Sequence, residues 1–345
     1  MKTKLLILLC LALAPISWSQ TGGMDAFPFL DLSYNARSGG LGGDFLTGWG
    51  DDLNMGIENP SLLNSEMHND LSINEALHPG GIHHGMLNYG FNLKDCGTVS
   101  TFVQFMGYGR IERTAVNGTS EGHFHPIDMA IGVGMGRQLN PRLGIGANAK
   151  ILYSQLETYS SFGIAADLAG TFHNEEKGFL VTAKVKNIGV QFNAYNNGNR
   201  APLRTDFQLA GAYKLPHAPF RFTLLAHNLN RWDLTYNDPN LEPTIDALTG
   251  DTIPAQSAGF GEKFARHLSY QLELLISKKI HIRTGFDYHR RKELAVTQRP
   301  GAAGFSFGLG LYFRRFNLDY GFLIYSNAGF NNLLTLSTNI DKWRR

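Results

Sequence analysis

The chain has 345 residues, and its composition is unusual for a soluble enzyme: 17% of residues are charged, 12% are aromatic and 39 are glycine. Soluble domains carry roughly 25% charged residues. The 31 basic and 29 acidic residues nearly cancel, so the charge gives no reason to expect nucleic acid as a partner.

The first 19 residues have the organisation of a secretory signal peptide. Lys2 and Lys4 precede a short apolar run over 5–14, and small residues at Ser17 and Ser19 suit signal peptidase. We expect cleavage after Ser19, which removes two lysines and leaves 29 basic against 29 acidic residues. The one cysteine left, Cys96, has no partner for an internal disulfide.

Residues 20–68 show no regular periodicity and are rich in glycine. Seven glycines fall between positions 39 and 56, and Asn59-Pro60-Ser61 is typical of a turn. A segment of this length before the first strand predicts a plug folded into a barrel, with a loose periplasmic tail as the alternative.

From residue 69 to 345 the hydrophobic period is two, as in β-strands. Ile131, Val133 and Met135, for example, alternate with glycines. Several runs approach the 9–11 residues that a tilted strand needs to cross a bilayer. We predict fourteen strands, over 69–77, 82–93, 98–111, 125–137, 143–155, 159–172, 179–192, 203–215, 219–231, 266–276, 279–289, 302–313, 316–325 and 332–341.

The connections between these strands alternate in length. Every second connection is tight, whereas those over 112–124, 193–202, 232–265 and 290–301 are long. This alternation is typical of an outer-membrane β-barrel with short periplasmic turns and outer loops at the cell surface. A soluble β-sandwich is the rival, but its strands average only about 5–6 residues.

The order of short motifs resembles a known family. Ala36-Arg37-Ser38-Gly39-Gly40-Leu41-Gly42-Gly43 and Asn59-Pro60-Ser61-Leu62-Leu63 are similar to the N-terminal pattern of barrels related to the fatty-acid transporter FadL and to PorV. Later stretches, including Lys186-Asn187-Ile188-Gly189, 215–221 and Arg290-Arg291-Lys292-Glu293-Leu294, narrow the resemblance to the PorQ type of the type IX secretion system of Bacteroidetes.

This resemblance implies a FadL-like barrel without catalytic residues or cofactors. It also implies membership of a surface attachment complex with PorU, PorV and PorZ. There the barrel would hold a PorZ-like protein while cargo is processed and attached to anionic lipopolysaccharide. The alternative is a FadL-like transporter of hydrophobic small molecules. The small and polar alternate face of the strands argues against the apolar lumen that such a transporter needs.

Two groups of residues could form a chemical site, and each has a simpler explanation. The histidines at 78, 83, 84, 123 and 125 fall near the outer strand ends, but their spacing is no known zinc pattern, so polar loops explain them better. Ser269, Gln271 and His281 lie on adjacent predicted strands without a nucleophile elbow. We therefore expect neither a metal site nor a hydrolase.

The longest outer loop, 232–265, is the candidate partner surface because it carries several apolar side chains. These are Trp232, Leu234, Tyr236, Leu241, Ile245 and Phe260. A flexible lid is the alternative. Arg290, Arg291 and Lys292 form a candidate contact for lipopolysaccharide phosphate, which guanidinium groups bind through paired hydrogen bonds. A solvated loop is the alternative there.

Overall fold

The computed structural model describes residues 25–94, 96–195, 198, 200–235, 244–245, 252–253, 258–295, 301–326 and 329–343. Its main element is a closed barrel of fourteen antiparallel strands. They are β1 (Asp70–Leu77), β2 (His83–Leu93), β3 (Gly97–Gly107), β4 (Ile127–Asn140), β5 (Leu143–Leu156), β6 (Tyr159–Asn174), β7 (Phe179–Gln191), β8 (Asp206–Lys214), β9 (Phe220–Ala226), β10 (Leu268–Leu275), β11 (Ile280–Asp287), β12 (Phe305–Tyr312), β13 (Phe316–Ser326) and β14 (Gly329–Asn339).

The predicted strand number and fold class are confirmed. Each strand pairs with its sequence neighbour, and β1 pairs with β14 to close the barrel. Many strand bounds differ from the prediction by a few residues, and two differences have a clear structural cause. β9 ends at Ala226 because Asn228 turns the chain with a φ of 54°. The predicted loop over 112–124 contains a hairpin of its own, Ile111–Thr114 paired with Ser120–Phe124.

The two faces of the wall have opposite chemistry. Outward-facing side chains are large and apolar, such as Ile131 and Ile151, which are 52% and 64% exposed. Their sequence neighbours point into the barrel and are buried, as Ala130 and Lys150 are. Among the described residues, no helix is long and apolar enough to cross a membrane.

The lumen is filled by residues 25–68, which we call the plug. It contains two short α-helices, α1 (Ala36–Gly40) and α2 (Met55–Glu58), and three 3-10 turns, Pro28–Asp31, Pro60–Leu62 and Ser65–Met67. Plug side chains occur in every buried apolar cluster of the described residues, so the core of this protein lies inside the barrel. The signal peptide predicted over 1–19 lies outside the described residues.

Glycines let the plug approach the wall closely. A Cβ at Gly40 would lie 2.8 Å from the Cα of Gly308 on β12, and one at Gly146 would lie 2.3 Å from the carbonyl of Pro60. Glycine has no Cβ, so backbone can lie directly against backbone. The inward-facing glycines of the strands thus make room for the plug.

Besides the hairpin over 111–124, the described parts of the outer loops include a short ladder and two short helices. A two-residue ladder joins Thr244–Ile245 to Thr252–Ile253, helix α3 spans Phe260–Ala265, and helix α4 spans Tyr288–Leu294. Asp287 caps α4 by accepting a hydrogen bond of 2.7 Å from the backbone N–H of Arg290. These helices lie above the β9–β12 side of the barrel.

Candidate functional site in the barrel lumen

An apolar cluster occupies the half of the lumen nearest the long loops. We call it the lumenal apolar cluster. Its members are Met86, Phe102, Ala130, Leu152 and Ala165 from the wall, Ala26, Phe27, Phe29, Leu30, Tyr34 and Ile57 from the plug, and Leu203 from the loop between β7 and β8. Every member is at most 6% exposed. The expectation that the inner face would be small and polar is therefore wrong for this sector.

Strand register creates the apolar wall of this cluster. Ala130 on β4 lies directly opposite Leu152 on β5, and both project inward. Phe102 on β3 fills the space beside Gly132, where a Cβ would lie 2.2 Å from its ring. Because the wall residues of the cluster are far apart in the sequence, they meet only through the pairing of five strands, β2 to β6.

The N-terminal end of the plug covers this wall through apolar packing and a set of polar contacts. Asp31 lies 3.7 Å from both Lys186 and Arg204, and the carbonyl of Ser33 lies 2.7 Å from a ring nitrogen of His84. The backbone N–H of Ala26 donates to the carbonyl of Pro202 at 2.8 Å, and Ala26 forms a parallel bridge with Leu203. Asp25 faces Arg231 at 3.5 Å, a partly exposed pair of small energetic value. Side chains such as Phe27 and Phe29 therefore supply the apolar part of an attachment that also includes the contacts of Asp31 and Ser33.

The other half of the lumen is closed by a cluster of arginines and carboxylates. Glu273 on β10 accepts hydrogen bonds from Arg37 of the plug at 3.1 Å, from Arg221 at 2.8 Å and from Arg283 at 3.3 Å. Arg37 also pairs with Asp52 at 3.2 Å, and Arg283 with Asp319. We call these six residues the arginine–carboxylate cluster. Three guanidinium groups thus balance three carboxylates.

Lysines on the wall anchor the plug near the middle of the lumen. Lys184 donates to the backbone carbonyl of Glu58 at 2.5 Å, and Lys186 lies 3.4 Å from Asp44. Lys150 is paired with Asp167 at 2.8 Å within the wall. Since buried charges are tolerated only when paired and hydrogen-bonded, the contacts of Lys184 and Lys186 hold the plug in one position.

Only some of the candidate partner residues are exposed at the surface. Phe260 is 73% exposed and Trp232 is 50% exposed, and their ring centroids are 5.2 Å apart. Leu234 is buried, with 2% exposure. Tyr236 and Leu241 lie outside the described residues, and only the backbone of Ile245 is described. Of the predicted partner residues whose side chains are described, only Phe260 and Trp232 are therefore exposed to a partner.

An ion pair supports the base of the same loop. Lys263 of α3 donates to Asp233 at 2.6 Å. Burial alone would raise the pKa of Asp233, but the hydrogen bonds from Lys263 and Thr235 outweigh it and lower the pKa to about 2. The carboxylate is therefore ionised at neutral pH and keeps the exposed aromatic pair on a defined support.

The three basic residues of α4 have partners within the chain. Arg290 turns inward and donates to the carbonyl of Gly42 in the plug at 2.7 Å. Arg291 donates to the carbonyl of Gly301 at 2.6 Å, and Lys292 lies 3.4 Å from Glu262. The predicted contact with lipopolysaccharide stays a prediction, and Arg290 has a second role as a link between outer loop and plug.

The geometry gives little support to a metal site at the histidines or to a hydrolase at Ser269 and Gln271. His78 and His84 contact one another at 2.7 Å, whereas His83 faces Glu75 and His123 faces Arg110. Within the described part of the chain, no group of three or more potential ligands could hold a metal ion. Ser269 and Gln271 are buried inside the barrel, away from its membrane-facing wall.

Sequence reasoning missed the residues that fill and close the lumen, among them Phe27, Phe29, Arg37 and Glu273. One signal was present: charged residues at inward positions of predicted strands, such as Lys184 and Glu273, require partners of opposite charge. The segment before the first strand supplies them.

Comparison with known proteins supports the fold. Neither a family model nor a curated protein matches the sequence. The toluene transporter TodX of Pseudomonas putida superposes with a TM-score of 0.54 at 12% identity, covering 93% of this chain and 100% of that one. The toluene transporter TbuX of Ralstonia pickettii gives 0.52 at 10% identity, covering 91% and 100%. At such identities the likeness shows a shared fold, a FadL-like barrel of the kind typical of the outer membrane.

Proposed function

We propose that this protein conducts hydrophobic small molecules across the outer membrane by way of the lumenal apolar cluster. The observation that carries the proposal is the apolar wall sector around Phe102 and Leu152, which side chains of the plug cover. The likeness to TodX and TbuX, both described as toluene transporters, supports the same reading. The role in a type IX attachment complex, our first expectation, gains no support from these comparisons.

The proposed route requires the N-terminal end of the plug to move while the rest stays. Uncovering Phe27 and Phe29 would cost about 1.5–3 kcal/mol for each side chain, which a bound apolar molecule would offset by taking the same contacts. Opening also requires Asp31 to leave Lys186 and Arg204, and Ser33 to leave His84. Residues beyond Ala36 are held by further buried ion pairs and would remain in place. The plug would therefore open at one end only.

A reversible cross-link tests this route. Ala26 and Leu203 are bridge partners, so cysteines at both positions have suitable spacing for a disulfide. In a Cys96→Ser background, the oxidised A26C/L203C protein should fail to admit labelled toluene into liposomes, and reduction should restore uptake. Cysteines at Ile131 and Ile151, opposite one another on the outward face, control for the disulfide itself.

Two results would refute transport by this route. One is equal uptake by the oxidised and reduced forms of the A26C/L203C protein. The other is uptake by the unmodified protein that does not exceed that of protein-free liposomes.

A second candidate function is the anchoring of a surface protein, and a separate observation favours it. The exposed pair of Trp232 and Phe260 stands on the ordered base of the longest outer loop, as an interface anchor would. Together with the motif order, this supports a PorQ-like role in holding a PorZ-like partner beside PorU-like and PorV-like components.

A pull-down from native membranes in mild detergent tests the anchoring role. Trp232→Ser with Phe260→Ser, or deletion of residues 238–262, should release the partner while the barrel stays heat-modifiable on gels. Val116→Ser, at the fully exposed tip of another outer hairpin, is the matched control. Recovery of the barrel without any large exported protein would exclude this function.

A further inference from the structure

A groove of about 920 Å³ runs across the membrane-facing wall. It crosses β4 to β8, and its lining is almost entirely apolar. Small residues at Ala147, Gly170 and Ala183 form its floor, and larger side chains such as Leu168 and Phe207 stand at its sides.

The strand register explains the shape of the groove. Outward-facing residues of five strands are aligned in one row, in which Arg137 pairs with Ile145, Ile145 with Gly170, Gly170 with Ala183 and Ala183 with Leu209. Five strands at about 4.8 Å spacing make the row roughly 19 Å long. The two small residues in its middle leave a depression between Ile145 and Leu209.

A basic side chain stands at one end of this groove. Arg137 is exposed, faces outward and lies three residues before the end of β4, at the short-turn side of the barrel. Among the described residues it has no ion-pair partner. An unpaired guanidinium at the membrane boundary is complementary to a phosphate group, which it binds through paired hydrogen bonds.

We propose that the groove holds one phospholipid of the inner leaflet, with its phosphate on Arg137 and an acyl chain along the floor. The short turns face the periplasm, so the phosphate on Arg137 would come from the periplasmic leaflet. The acyl chain contacts the floor at Gly170 and Ala183, where larger side chains would exclude it. This site is separate from the lumen and needs no movement of the plug.

Native mass spectrometry of the full-length barrel, purified from its own membranes in mild detergent, tests the site. The unmodified protein should carry one phospholipid. Gly170→Val should fill the groove without strain, since the nearest atom to an added Cβ is 4.0 Å away. Both Gly170→Val and Arg137→Gln should lower the lipid-bound fraction about tenfold. Gly211→Val, at an outward glycine with open space around it, should leave that fraction unchanged.

The outcomes separate this site from the proposed transport. All variants should remain heat-modifiable and take up toluene as before, because the groove lies outside the lumen. Equal lipid retention by all four proteins, or none by the unmodified barrel, would overturn the site. Loss in Gly170→Val but not in Arg137→Gln would overturn the assignment of the phosphate to Arg137.

Discussion

Replacing Glu273 with glutamine should strongly destabilise the plugged barrel. Glu273 is 1% exposed and is the acceptor shared by Arg37, Arg221 and Arg283. Glutamine keeps the shape of the side chain but removes the negative charge. The arginine–carboxylate cluster would then hold three guanidinium groups against the two carboxylates of Asp52 and Asp319.

The size of the effect follows from burial. Removing one partner of a buried ion pair costs about 3–5 kcal/mol, because the remaining charge stays out of water. Each kcal/mol shifts the unfolding midpoint of a chain this large by about 2–4 °C, so the shift should be on the order of 10 °C. Asp233→Asn removes one partner of an exposed pair and should cost only about 0–1 kcal/mol.

Thermal unfolding in detergent micelles, followed by circular dichroism, measures the shift. Adding Arg37→Met to Glu273→Gln should recover part of the loss, because the excess positive charge is removed, and a double-mutant cycle isolates that coupling. If Glu273→Gln unfolds within about 1 °C of the unmodified protein, the reasoning that the plug is held by buried charge is wrong.

Three further changes follow from the packing, and each has a matched control in the same unfolding assay. Phe102→Ala opens a cavity in the lumenal apolar cluster and should cost about 3–5 kcal/mol, whereas Ile151→Ala on the outward face should cost far less. Gly40→Ala places a Cβ 2.8 Å from the backbone of β12 and should cost about 1–3 kcal/mol; Gly211→Ala should be neutral. Arg290→Gln removes the 2.7 Å hydrogen bond to Gly42 and should cost about 1.5–3 kcal/mol, while Lys279→Gln in an exposed turn should have no effect. If a control variant lost more stability than its test variant, the packing that this pair tests would be contradicted.

The barrel was predictable because lipid and lumen select different side chains at alternate positions. That contrast is local, so runs such as Ile131, Val133 and Met135 show it without knowledge of the rest of the fold. Strand ends were less certain, since turns such as that at Asn228 depend on a single left-handed residue. The hairpin over 111–124 was missed because it extends beyond the membrane, where the contrast between faces disappears.

The lumenal site was not predictable in the same way. Met86 and Leu152 are single apolar residues on faces that are otherwise small or polar, Phe102 shares its face with Met106, and only the register brings them together. The glycine-rich sequence of the plug has no hydrophobic period, so it does not predict a conformation. Contacts with the wall fix that conformation. In the sequence, Leu234 looks the same as an exposed apolar anchor. Its burial depends on the fold of the surrounding loop.

Hydrogen–deuterium exchange of the plug with and without saturating toluene tests the central claim most directly. The amide hydrogens of Ala26, Leu30 and Leu32 donate to backbone carbonyls while the plug covers the apolar wall. Displacement by a ligand should speed their exchange, whereas the amide of Gly39, bonded to Asn35 within the anchored part, should not change. Unchanged or slower exchange at residues 26–32 would contradict the claim that this segment and a hydrophobic ligand compete for one site.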